Sequence, residues 1–397
     1  MELLSWGEII LKIFIRLIPV WVALVITFGV SIYFKRKLGL YGKLFDSTVG
    51  MIGFAILMFW VFTAFFAGVL DWIVTADPLS QMSGMKNKVP GTPVRGADQG
   101  DYPFFLLGGD NLARDVFTRV VYGSSLIMVI APLATLFAFM MGITLGLPAG
   151  YYGGKLDTIL SFLANLVLAF PVILLFYLLV TPEIVDTGVP QFMGVILFLF
   201  PLIFFTVLLN TRFHTDPTKR TTILFFVIGI LGVLYLSVIN EAGSKISIFN
   251  LIDLFDIDAG LLTVFVSVVF VNSPTTFRIV RGLTMDIKTR DYVSAAQTRG
   301  EGPWYIMLWE ILPNARGPLI VDFCLRIGYT TILLGTLGFF GLGLESESPN
   351  WGATINDGRK LLSIYPHAAL APALSLLSLV LGLNLLADGL REESLRD

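Results

Sequence analysis

The chain has 397 residues, 55% of them hydrophobic and 14% charged, with a formal net charge of −2 and a mean hydropathy of +0.81. A soluble domain carries about 25% charged residues because water must be faced somewhere, and 27 Lys and Arg with 29 Asp and Glu are too few to cover a globule of this size. The composition excludes a nucleic-acid binder, a disordered chain and an ordinary cytosolic enzyme, and describes a polytopic membrane protein.

About twenty apolar residues cross a bilayer as a helix, and a helix satisfies its own backbone there. Runs of this length predict nine spans, at 9–34, 49–74, 120–151, 158–180, 191–210, 221–239, 261–280, 318–342 and 367–386. Lys12 and Arg16 interrupt the first, and Pro19 follows, so a shorter span from Leu17 with an interfacial amphipathic lead-in fits as well. Glu2 and Glu8 stand where a cleavable signal needs basic residues. Cys324 lies in an apolar run and reads as a small buried hydrophobe. One cysteine makes neither an intrachain disulfide nor a cysteine-based metal site.

Basic residues fix the orientation. Lys35, Arg36, Lys37 and Lys43 place the loop after the first span in the cytosol. Counting forward brings Arg212, Lys219 and Arg220 inside, together with the stretch 281–316 that carries Lys288, Arg290 and Arg299. The segment 241–258, with one Lys against four acids, falls outside, as do the N-terminus and the loop 75–119. Within that loop, 76–101 is rich in Gly and Pro and reads as a coil over the outer face. The segment 181–260 holds a helical hairpin whose removal would preserve the inside and outside parity of everything after it, the pattern of an insertion into an older bundle.

The largest cytoplasmic loop reads as two short helices. Residues 286–299 are good helix formers, Gly300 and Gly302 break the helix, and Pro303 suits the first turn of a second one ending at Pro313. Tyr292, Ala295, Ala296 and Arg299 lie three or four apart on one stripe, and the adjacent alanines let another surface come close. Periodicity alone fits either a helix entering the groove of a soluble partner or an amphipathic helix lying on lipid headgroups.

This loop resembles the EAA loop of ABC-transporter permease subunits in the form found in the dipeptide/oligopeptide permease family: Ala295-Ala296, three residues, Gly300, ten residues, then Ile311-Leu312-Pro313-Asn314. Ser294 stands in place of the motif's usual Glu, and Glu310 where His is common. Four further stretches are similar to the same family in order. They are 107–123 with Gly109-Asp110 and Arg114-Asp115, the turn 146–157, Leu168-Ala169-Phe170-Pro171, and the C-terminal pair 349–353 and 383–391. The Gly109-Asp110 segment is closer to the smaller "C" partner of the family's permease pair.

The resemblance implies an all-α polytopic fold, an ABC importer type I permease core at 49–180 and 261–391. To it are added an N-terminal helix and linker at 1–48, the inserted hairpin at 181–260 and a cytoplasmic tail at 392–397. The core would include a periplasmic loop at 75–119 and a coupling loop at 286–316. It further implies a non-catalytic subunit of an ATP-driven importer for peptides or a related solute, multi-pass in the bacterial inner membrane. Its partners would be a second permease, two nucleotide-binding ATPase subunits, a periplasmic or lipid-anchored substrate-binding protein and membrane lipid. Mg-ATP would be bound by the ATPases, with no cofactor on this chain. The ATPases would dock on Asp291, Ser294, Ala295, Ala296, Arg299, Gly300, Glu310, Leu312 and Pro313.

Other chemistry has little to stand on. Gly150 to Leu156 lacks the spacing of a phosphate loop and reads as a glycine turn. His214, read as a solvated loop residue, and His367 are expected on opposite sides of the membrane. Asp322 and Arg326, four apart in a span, are either a functional intramembrane pair or a snorkelling one. Asn384 and Asp388 are expected to satisfy neighbouring helices. Glu345, Glu347 and Trp351 lie on an outer loop that is either solvated or a rim meeting a binding protein. An ion-coupled secondary transporter, the alternative, calls for internal repeats and mid-membrane carboxylates, and neither is read.

Overall fold

The computed structural model describes residues 2–37, 39–94, 102–241, 259–343 and 347–394. In chain order the helices are α1 (Trp6–Arg16), α2 (Ile18–Phe34), α3 (Gly39–Lys43), α4 (Thr48–Gly68), α5 (Val116–Tyr152), α6 (Gly154–Leu168), α7 (Val172–Val180), α8 (Pro182–Val185) and α9 (Val189–Leu197). They continue with α10 (Leu199–Arg212), α11 (Pro217–Glu241), α12 (Ala259–Ile287), α13 (Asp291–Thr298), α14 (Pro303–Tyr305), α15 (Leu312–Phe340), α16 (Trp351–Arg359) and α17 (His367–Ser394). Among the described residues eight helices are long and apolar enough to cross a bilayer, or nine if the bent pair α6 and α7 is one span. The all-α polytopic expectation holds. Glu345, most of the acidic segment 241–258 and the last three residues of the tail lie outside the described residues.

Several helix boundaries differ from the sequence expectation, and prolines account for two of the differences. Of the two readings of the first span the shorter one holds: it starts at Ile18, because Leu17 breaks the helix and Pro19 sits in the first turn of α2, where its missing N–H costs nothing. The preceding α1 is a separate helix opened by a reciprocal Ser5 and Glu8 capping box. The second span ends at Gly68 rather than 74, with a left-handed Asp71 in the turn beyond. The fourth is bent by 81° between Leu168 and Val172, since Pro171 disfavours helical backbone at Phe170. The span expected at 318–342 forms one candidate span with the second helix expected in the loop 286–316, Pro303–Phe340.

The chain divides into two compact units. In the first, residues 1–132 and 324–397, α4 packs on α17 and Trp60 Nε1 donates to Ser378 Oγ at 2.9 Å. Thr92–Pro93 and Phe104–Phe105 pair antiparallel in the outer loop that was expected to be coil. A buried ion cluster pins this end. Arg114 Nε donates to Asp110 Oδ2 at 2.6 Å and its Nη2 to Asp357 Oδ2 at 2.7 Å, while Arg119 donates to the carbonyls of Pro78, Glu347 and Ser348. Asp115 caps the start of α5, accepting from the Thr118 amide and hydroxyl and from Thr75 Oγ1. Trp351 is wholly buried and donates to the Val120 carbonyl at 2.8 Å, which corrects its reading as part of an exposed rim. A cavity of 740 Å³ nearby is lined by Arg16, Asp71, Asp77, Tyr102 and Tyr122. The Arg16 guanidinium is tied into its wall, donating to the Ile73 and Val74 carbonyls.

The second unit is residues 133–323. Gly142, Gly146 and Gly150 recur every fourth residue on α5 and face α12. A Cβ at these positions would lie 2.6 Å from Thr276 Cγ2, 2.9 Å from Val280 Cβ and 2.7 Å from the Arg281 carbonyl. The absence of side chains here lets the two backbones meet, as small residues do between membrane helices. Arg281 of α12 is paired with Asp157 of α6, Nη2 to Oδ2 at 2.6 Å. Only 6% of the apolar window of α11 is buried, with Phe225, Phe226 and Ile230 projecting outward, as a lipid-facing surface requires.

Candidate functional site

The loop between α12 and α15 is built from two helices set against one core. Helix α12 runs on through Asp286 to Ile287, so the first loop helix is α13, shorter than the 286–299 expected. Asp291 stands in its first turn, where a carboxylate is favoured by the helix dipole. Lys288 sits at the break between the helices and donates Nζ to the Gly150 and Tyr151 carbonyls at 2.7 and 3.2 Å. Gln297 Nε2 adds a hydrogen bond to the Tyr151 hydroxyl at 3.1 Å. These two side chains fasten α13 to the end of α5.

The expected stripe is split by the packing. Ala296 is buried with Val293, whereas Tyr292, Ser294, Ala295, Gln297, Thr298 and Arg299 are exposed. Only one of the two alanines therefore offers a small surface outward. Burial pushes the Tyr292 hydroxyl above its ordinary pKa, an effect that Arg290 partly opposes. Helix α13 ends in a Schellman turn: the Glu301 amide donates to the Ala296 carbonyl and the Gly300 amide to that of Gln297. The turn needs a left-handed residue, and Gly300 supplies it with φ +82°.

The second half does not stop at Pro313. Residues Pro303–Tyr305 lead into a π-helical stretch, Ile306–Ile311, that passes directly into α15. A proline inside a helix lacks its N–H and crowds the preceding turn, and a widened turn just before Pro313 accommodates it. Asn314 Nδ2 donates to the Glu310 carbonyl at 2.6 Å. Ile306, Met307, Leu308 and Ile311 are buried with Val293 and Ala296 in one cluster, with Leu312 packed at its edge. Arg299 Nη2 reaches Glu310 Oε1 at 2.9 Å. Pro313 is exposed.

The structure thus brings Ala296, Arg299, Gly300, Glu310 and Leu312 into one bend and leaves Asp291, Ser294, Ala295 and Pro313 on its surface. Sequence reasoning missed Lys288, counted only as a charge, and Trp309, whose partner lies 98 residues earlier. It also missed that His214 rests its ring edge-on against Tyr305 at 5.5 Å. The C-terminal ends of α5 and α10 both meet this loop, so two of the segments expected in the cytosol, 212–220 and 281–316, share one end of the unit.

Comparison with known proteins agrees with this architecture. Residues 221–392 match the family described as the binding-protein-dependent transport system inner membrane component. Similar proteins include a glutathione transport system permease protein of Pectobacterium atrosepticum, 29% identical over 72% of this chain and 70% of its own. A dipeptide transport system permease protein of Alkalihalophilus pseudofirmus is 26% identical over 89% and 87%, and its namesake in Haemophilus influenzae 27% over 74% and 75%. Apolar spans of this number and a loop of this form fit such a multi-pass inner-membrane protein. The chain is thus similar over most of its length to permease proteins of peptide transport systems, and residues 221–392 match the inner membrane component of binding-protein-dependent transport.

Proposed function

We propose that this permease is the C-type half of a pathway for peptides, paired with a second permease and driven by two ATPase subunits that dock on the loop 291–313 and bind Mg-ATP. A periplasmic or lipid-anchored binding protein delivers the solute, and this chain performs no bond chemistry itself. The observation carrying the reading is the loop's construction: an outward face of Ser294, Ala295, Gln297 and Thr298, backed by a buried apolar core. A small, polar outer face suits insertion into a groove, and the core behind it resists deformation when pushed. The relatives' names favour dipeptides or glutathione as the solute class.

The path of force follows from the backbone. The loop's second half continues without a gap into Pro303–Phe340, so displacement of the loop displaces a membrane span. ATP-driven closure of the docked subunits would bias the spans between two arrangements, the usual form of such switches. The test replaces Gly300 by valine, which a left-handed turn rejects. In membranes holding all subunits, the variant is expected to lose ATPase co-purification and uptake of a radiolabelled dipeptide. Undiminished association would overturn the docking role.

A further inference from the structure

The inner end of α10 grips the second half of the coupling loop. Trp309 Nε1 donates to Thr211 Oγ1 at 3.2 Å. The Arg212 guanidinium lies 4.9 Å from the centre of the Trp309 ring, near enough for a cation–π attraction. His214 places its ring against Tyr305 at 5.5 Å and its Nδ1 3.0 Å from the Thr211 carbonyl. One turn above, Val207 and Leu208 pack on the buried cluster that contains Ile306, Met307, Leu308 and Ile311. Apolar, hydrogen-bonding and cationic contacts therefore converge on one six-residue stretch.

That stretch is π-helical. Such turns are rare and cluster at functional sites, and a locally unfavourable backbone persists only where its surroundings over-determine it. The first loop helix has its own fastening in Lys288 and Gln297 on α5. The second is fastened by α10. Helix α11 buries little of its own apolar surface against the protein.

We infer that the helical pair α10–α11 is a stay for the coupling loop, with Trp309 as its positioning residue, so that the loop's second helix and the inner end of α10 move as one body when ATP is used. This rests on the reading that the ATPases dock on 291–313.

The experiment uses the assembled transporter with both permeases and both ATPases. Spin labels are placed at Asn210→Cys and Asn314→Cys, both exposed, while Cys324, the sole native cysteine, is buried. The distance between labels is measured without nucleotide and after trapping with ATP and vanadate. A single, unshifted distance is expected in both states. Trp309→Leu should add a second population on trapping, Trp309→Phe a smaller one, and Thr211→Ser none, because its hydroxyl is kept. A shift in the otherwise native protein, or no change with Trp309→Leu, overturns the inference. The docking reading fails separately, by full ATPase association in Gly300→Val, whatever the label distance does.

Discussion

Arg299 and Glu310 stand eleven residues apart and close the bend of the loop between α12 and α15 with an ion pair of 2.9 Å. Glu310 is one of the two positions at which this loop departs from the motif it resembles, and Ser294, the other, is exposed with no charge to offer. The acid at the bend thus comes from the second helix. With side chains 55% and 23% exposed, the pair is screened by water and contributes about 0.2–1 kcal/mol to folding. Its value lies in fixing the angle. Glu310→Gln should lower uptake at unchanged expression, and the exchange Arg299→Glu with Glu310→Arg should recover part of it, as measured by dipeptide transport in vesicles.

The two alanines of the motif should respond oppositely to the same change. Ala295 faces outward and Ala296 inward. Ala295→Phe is expected to leave the thermal midpoint of the purified permease unchanged and to weaken ATPase binding. Ala296→Phe should destabilise the fold by about 1–3 kcal/mol through overpacking. Paired measurements of melting and of co-purification separate the two effects.

Removing Arg114 strands two carboxylates. Asp110 and Arg114 are both almost wholly buried, and breaking such a pair costs about 3–5 kcal/mol. Arg114→Met should therefore lower the melting temperature markedly. Adding Asp110→Asn should restore part of the loss, since the amide oxygen still accepts from the Leu112 and Arg114 amides that Asp110 Oδ1 now serves.

Two glycines in spans give a paired test of close packing. Gly146→Ala brings a Cβ within 2.9 Å of Val280 and is expected to cost about 1–3 kcal/mol. Gly229→Ala on α11 meets nothing within 4 Å and should be neutral or stabilising by up to about 1 kcal/mol through helix propensity. Detergent-resistance midpoints of the two variants should differ in that order.

Glu8 titrates low. The Ser5 amide, followed by its hydroxyl, holds the carboxyl below the ordinary carboxylate range. A depressed folded pKa means the capping box contributes above about pH 4.3, the ordinary value for Glu, and is lost as pH falls through the folded value. A carbon-13 titration of Glu8 should show the low pKa, and Ser5→Ala should return it toward the ordinary value.

The amino-acid sequence by itself determined the fold class and the approximate number of spans. Twenty-residue apolar runs can do little but cross a bilayer, and Gly300 and Pro303 dictate a helix end and a helix start through backbone geometry that needs no partner. Even so, Pro19 and Pro171 shifted or bent helices where hydropathy, which sums over side chains, registers no backbone event. Tertiary structure decided the rest. Which alanine faces the core depends on where the buried cluster lies. The partners of Lys288, Trp309 and Arg114 lie 138, 98 and 243 residues away along the chain. No local pattern encodes contacts of that range; they exist only once the helices have packed.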